Sequence, residues 1–136
     1  DGEIITIDVD AMPDMPQHPR IKYLMGSSTS GEILAKVRDM IRDKKHVMVI
    51  LDSDHSCDHV YKELELYHGF VTLGQYLVVE DSNINGHPVY SGFGQGPGPM
   101  EAMEKFLPAH PEFETDSSRE KFFMSFNPKG YLKKIK

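Results

Sequence analysis

Val47–His55 reads VMVILDSDH, and Tyr76–Asp81 echoes it as YLVVED. In both stretches a run of β-formers ends abruptly in carboxylates, as expected of strands buried on both faces of a parallel sheet. The carboxyl ends of neighbouring strands in an open α/β sheet face one crevice. Asp52, Asp54, Glu80 and Asp81 are therefore expected to converge there. Repulsion disfavours four clustered carboxylates all being ionised unless a cation or proton intervenes. A hard divalent ion resolves this, with Mg²⁺ the first choice because it accepts a few carboxylates together with water and substrate oxygens. The competing reading makes each strand-end acid a cap for the helix that follows. Two strand ends finishing alike, with His55 three residues past Asp52, favour the metal.

The 136 residues, 39% hydrophobic and 26% charged, amount to a single domain, residues 1–136. A net charge of −6 argues against nucleic acid or an anionic membrane as the main partner, since both call for a basic face. The local positive excess, Lys129, Lys133, Lys134 and Lys136, reads as a solvated tail. One cysteine, Cys57, allows no intramolecular disulfide and fits a reducing compartment. No run approaches the roughly 18 apolar residues of a membrane span. A cytoplasmic protein with a small-molecule partner is expected, and a homo-oligomer stays open.

Ile4–Asp10, IITIDVD, is a strand ending in acid. In nucleotide-binding α/β folds such an acid accepts the ribose hydroxyls, and Asp8 is the better placed candidate; a helix cap is the alternative. Pro13, Pro16 and Pro19 make Ala11–Arg20 an exposed connection. Ile21–Met25 is a short strand stopped by Gly26. Ser30 caps a helix whose inward face is Ile33, Leu34, Val37, Met40 and Ile41. Ser28 and Thr29 serve either the turn or a ligand.

After His55, a helix over Ser56–Tyr67 is expected to turn Val60, Leu64 and Tyr67 inward and Lys62, Glu63 and Glu65 to water. A zinc set of His55, Cys57 and His59 lacks a second cluster to complete it. Asn83–Pro99 is rich in glycine and proline, and its Gly92, Gly94, Gly96 and Gly98 make a poor phosphate cradle because no strand leads into them. A lid fits better, with Asn83, Asn85, His87 and Tyr90 facing substrate. Pro99 opens a helix that buries Met100, Met103, Phe106 and Leu107. Phe113–Thr115 and Phe122–Phe126 read as a closing antiparallel hairpin, terminated by Asn127, Pro128, Gly130 and Tyr131.

LDSDHS, YLVVEDSNINGHPV and FNPKGYL, in this order, resemble the cephalosporin hydroxylase and rhamnosyl O-methyltransferase family, a branch of the class I S-adenosylmethionine-dependent methyltransferases. The resemblance runs over nearly the whole chain. It implies a Rossmann-like, doubly wound, mostly parallel α/β sheet with the C-terminal hairpin. It further implies Mg²⁺-assisted O-methylation of a sugar or small-molecule hydroxyl with S-adenosylmethionine as cofactor. A more distant similarity to catechol-type Mg²⁺-dependent O-methyltransferases makes Asp52 the first metal ligand and Glu80 with Asp81 the pair after the next strand. Asp54 is then a substitute or outer ligand, and His55 stands where those enzymes carry a lysine base. The implied cofactor contacts are Asp8, Ser28 and Thr29, and Ser53 within LDSDH is placed with them. Such enzymes hold the methionine part of the cofactor with a glycine-rich loop after a first strand, whereas this sequence reads as opening on the second strand. Two other classes are weighed beside this one: an iron-dependent hydroxylase, which needs two histidines and a carboxylate, and a non-catalytic interaction module.

Overall fold

The computed structural model describes residues 2–11, 13–88, 96–121 and 125–136. The chain is a mixed α/β protein in two compact units, Asp1–Asp43 and Lys44–Lys136.

In the first unit, β1 (Ile4–Asp8) and β2 (Ile21–Met25) pair in parallel, with Ile4 opposite Ile21 and Asp8 opposite Met25. The Gly26 N–H donates to the Asp8 carbonyl at 2.8 Å and extends the ladder by one step. Gly26 then adopts φ 145°, and a Cβ there would meet the Ile33 side chain at 3.1 Å. The chain can therefore turn sharply into α1 (Gly31–Ile41) only because that position is glycine. The Ser30 Oγ accepts the Ile33 N–H at 3.2 Å and satisfies one of the otherwise unpaired donors of the first turn. Ile33 and Val37 are buried, and Leu34, Met40 and Ile41 are partly covered. Ser30→Ala is expected to destabilise this unit by about 1 kcal/mol, seen as a lower midpoint in denaturant. An unchanged midpoint would contradict the cap.

The second unit is built on a four-stranded sheet of order β3-β4-β6-β5. β3 (Val49–Leu51) and β4 (Tyr76–Val79) are parallel. β6 (Tyr131–Lys134) lies antiparallel between β4 and β5 (Phe113–Thr115). The helices α2 (Cys57–Tyr67) and α3 (Pro99–Phe106) contribute Val60, Leu64, Met103 and Phe106 to one core with Leu51, Leu77 and Leu132. Pro99 occupies the first turn of α3, where its missing N–H is not needed.

Three expectations are corrected. The antiparallel partner of β5 is Tyr131–Lys134 rather than Phe122–Phe126, of which residues 122–124 lie outside the described residues and Ser125 and Phe126 are not strand. Tyr131, expected to terminate the Phe122–Phe126 hairpin, instead begins β6. Leu132, 0% exposed between two strands, anchors it, while Lys134 folds over the Phe113 ring with Nζ 5.6 Å from the centroid. β3 is not covered on both faces: Ile50 is 55% exposed on the face opposite the buried Leu51, and Met48, just before the strand, is 50% exposed. Glu63 does not face water; it is 2% exposed.

One polar network ties the sheet's turns together. The Tyr76 hydroxyl donates to Asp116 Oδ2 at 2.6 Å, the Ser118 N–H donates to Oδ1, and Arg119 Nε reaches both Tyr76 and Asp116. Hydrogen bonds from Ser118, then Tyr76, hold the Asp116 carboxyl well below its ordinary value. Because the folded-state value is depressed, the network's stabilisation is present above the unfolded value of 3.8 and lost as pH falls through the lower folded value. Asp116→Asn is expected to be less stable at neutral pH and flatter in acid than the wild type. Identical acid limbs in the two proteins would contradict this assignment.

Candidate metal and cofactor sites

In the second unit the ends of β3 and β4 meet. The Glu80 N–H donates to the Leu51 carbonyl at 3.0 Å, carrying the parallel pairing one residue past the strand. Asp81 then turns to φ 51°, a left-handed conformation that aspartate tolerates better than most residues. Its N–H is held by Asn127 Oδ1 at 2.9 Å. The reversal brings Asp81 Oδ2 to 3.2 Å from His55 Nε2, while Asp52 Oδ1 approaches the same nitrogen at 3.6 Å. One ligand atom from each of Asp52, His55 and Asp81 lies within 4.8 Å of the others.

Electrostatics favour a cation here. Burial, followed by the charges of Asp52 and Asp81, pushes the Glu80 carboxyl up, and His55 opposes the shift. His55 Nε2 is sheltered from solvent yet has no well-formed hydrogen bond among the described residues, although two carboxylates face it. Carboxylate oxygens aimed into one gap, beside a third carboxyl that resists ionisation, form a donor set that suits a hard divalent ion. Glu80 and Asp81 also line an open cleft of about 380 Å³ shared with Lys121, Phe126 and Tyr131, within the usual size range for small-molecule sites.

The other expected residues are placed as follows. Asp54 does not join the cluster; it is exposed, its Oδ1 accepts the Ser56 N–H at 2.7 Å, and hydrogen bonds from the Ser56 side chain, then its N–H, hold its carboxyl below the ordinary range. Ser53 Oγ donates to Glu63 Oε1 at 2.8 Å, and His59 Nε2 lies 3.5 Å from the same oxygen. His59 thus turns to Glu63 and not to His55, so the pair His55 and His59, weighed for a hydroxylase triad, does not assemble. In the loop after β4, Asn83 is buried and His87 Nε2 contacts Glu101 Oε1 at 2.7 Å, which fastens this part of the expected lid to α3. Tyr90, Gly92 and Gly94 lie outside the described residues.

In the first unit, Asp8 and the GSSTS turn share the carboxyl edge of the β1–β2 pair. Asp8 is exposed and its Oδ1 accepts the Asp10 N–H at 3.0 Å. The Thr29 and Ser27 hydroxyls are 3.1 Å apart, and Ser28 follows Ser27 in the same turn.

A model of the rhamnosyl O-methyltransferase/CmcI family matches residues 1–135. The chain belongs to that family. Rhamnosyl O-methyltransferase of Mycobacterium tuberculosis (strain H37Rv) is 41% identical over 123 residues, covering 88% of this chain and 49% of that protein. The Mycobacterium leprae protein of the same name is 37% identical over 135 residues, covering 96% and 58%. The chain therefore spans about half the length of these curated relatives. Among solved structures, MycE methyltransferase from the mycinamycin biosynthetic pathway, in complex with Mg and SAH, superposes with a TM-score of 0.62 at 20% identity. That likeness covers 99% of this chain and 38% of MycE, and it bears out the expected Rossmann-like methyltransferase fold.

Two residues of this rhamnosyl O-methyltransferase/CmcI chain escaped the sequence reading as parts of the site. Asn127, read as a strand terminator, holds the backbone of Asp81; FNPKGYL was the signal that could have found it. Glu63 holds Ser53 from inside the core. Val60, Glu63, Leu64 and Tyr67 share one helical face, so spacing alone marked position 63 as buried. Its charge concealed that.

Proposed function

We propose that the chain carries the metal-binding and nucleoside-facing parts of an S-adenosylmethionine-dependent, Mg²⁺-assisted O-methyltransferase whose acceptor is a hydroxyl of a sugar. The observation that carries this reading is the approach of Asp52 and Asp81, from the ends of two parallel strands, to one nitrogen of His55. The rhamnosyl O-methyltransferase relatives support the acceptor class. In this proposal Asp52, Glu80 and Asp81 hold Mg²⁺, and His55 is the base. When bound, Mg²⁺ would lower the pKa of the acceptor hydroxyl and S-adenosylmethionine would supply the methyl group.

The residues of the chain do the rest. Asn127 and the left-handed turn at Asp81 fix that carboxylate in place before ligand arrives, so little reorganisation remains for binding. His55 takes the hydroxyl proton at Nε2. An imidazole suits this because its ordinary pKa lies near neutrality. Asp54 caps the approach to α2 and serves the site by holding the LDSDH turn. In the first unit, Asp8 accepts the ribose hydroxyls and the Ser28–Thr29 turn contacts the adenine. Asp8→Ala is expected to weaken S-adenosylmethionine binding by roughly tenfold, the loss of hydrogen bonds to a charged acceptor, measured by calorimetry. Unchanged affinity would remove Asp8 from the cofactor site.

A further inference from the structure

A second group of ligating side chains stands at the other end of α2. His68 follows the last residue of that helix and opens a 3₁₀ turn, His68–Phe70. His110 and Glu112 lie between a second 3₁₀ turn, Leu107–Ala109, and β5. An 11-residue helix is about 16 Å long, so this group is separate from Asp52 and His55, which precede α2. Glu112 Oε1 lies 3.4 Å from His68 Nδ1 and 3.1 Å from His110 Nδ1, and ligand atoms of all three are within 4.8 Å of one another.

These spacings have chemical meaning. Nitrogen and oxygen ligands about 2.0–2.1 Å from a tetrahedral zinc are about 3.3 Å from each other. The two measured edges bracket that value. On its far side, His110 Nε2 meets Glu65 Oε1 at 3.0 Å, and its ring stacks on Phe106 at 3.9 Å between centroids. A carboxylate on Nε2 fixes the proton there and leaves the Nδ1 lone pair directed at Glu112, the outer support that metal-bound histidines commonly have. A proton on His110 would relieve the contact with Glu112. His68 Nδ1 is sheltered from solvent and faces Glu112 Oε1 at 3.4 Å without a well-formed hydrogen bond among the described residues. Lys134 Nζ meets the His68 carbonyl and not its ring. A cation between the three atoms would satisfy all of them at once.

We infer that His68, His110 and Glu112 form a binding site for a borderline divalent cation of the zinc class, with Glu65 as the outer carboxylate that orients His110 and water completing the coordination. Two imidazoles select such an ion over Mg²⁺, unlike the carboxylate cluster at the head of α2. The ion staples the end of α2 to the segment that leads into β5. The inference does not depend on the methyltransferase assignment.

Co²⁺ titration reads the site directly, since Co²⁺ bound by nitrogen at low coordination number gives visible ligand-field bands that Zn²⁺ abolishes on displacement. The folded wild-type chain is expected to develop these bands at one equivalent and to unfold at a higher temperature with Zn²⁺. Glu65→Gln should weaken binding by about 10–100-fold, His68→Ala by more, and Asp52→Asn should leave the bands unchanged. If His68→Ala does not fold, Glu112→Gln gives the same reading. Absence of the bands in the folded wild type, or their persistence in a folded His68→Ala or Glu112→Gln protein, overturns the site.

Discussion

On the proposed function, Asp52→Asn is expected to lower methyl transfer to a sugar acceptor by about 10³-fold, roughly 4 kcal/mol of transition-state stabilisation. The Asp52 side chain is 56% exposed, so the change leaves the core of the second unit untouched. Asn keeps the size and one oxygen but loses the charge that a hard cation requires. Asp81→Asn should fall by a similar factor, and it is a clean probe because Asn tolerates the left-handed backbone at φ 51° as well as Asp does. The loss should appear in kcat more than in the KM for S-adenosylmethionine, since neither carboxylate is assigned to the nucleoside. Label transferred from radioactive S-adenosylmethionine measures it. A wild-type rate in either variant would remove that residue from the chemistry.

Gly130→Ala is expected to destabilise the second unit by about 3 kcal/mol, the upper range for forcing extra volume into packed structure. A Cβ at Gly130 would stand 2.2 Å from the Val79 carbonyl oxygen and 3.1 Å from Asn127. The obstacle is backbone of the neighbouring strand and cannot swing aside. Gly130 also uses both of its own groups: its N–H donates to the Asn127 carbonyl at 2.9 Å, and its carbonyl accepts the Val79 N–H at 2.8 Å. Displacing it therefore disturbs Asn127, which holds Asp81. The expected result is a lower unfolding midpoint together with weakened metal binding in the fraction that stays folded. A midpoint equal to the wild type would mean that β4 and the FNPKG turn can separate at little cost.

The convergence of Asp52 and Asp81 was legible because both follow strand ends. VILD and LVVED announce their geometry by a break from apolar to acidic, and the parallel pairing of β3 with β4 turns that break into spatial proximity. Ser30 as a cap and Pro99 as a helix start were readable for similar local reasons. What the sequence concealed depended on neighbours far along the chain. Tyr131–Lys134 looks like a basic tail, yet Leu132 sits between β4 and β5, which no local pattern reveals. Glu63 lies on the buried face of α2 with Val60, Leu64 and Tyr67, and its charge is met there by the Ser53 hydroxyl. Ser53, ten residues earlier, commits its hydroxyl proton to Glu63, a contact that the local sequence does not announce. Asp54 shows the limit of counting acids: of the two aspartates in LDSDH, only Asp52 reaches His55, while Asp54 accepts from Ser56 in the turn before α2.

Asp52 and Asp81 are proposed to bind one hard divalent cation beside His55. Mn²⁺ titration followed by electron paramagnetic resonance tests it without reference to turnover. One Mn²⁺ site that Mg²⁺ displaces is expected, lost in both Asp52→Asn and Asp81→Asn and retained in His68→Ala. Mg²⁺-displaceable binding that survives both aspartate substitutions would contradict it.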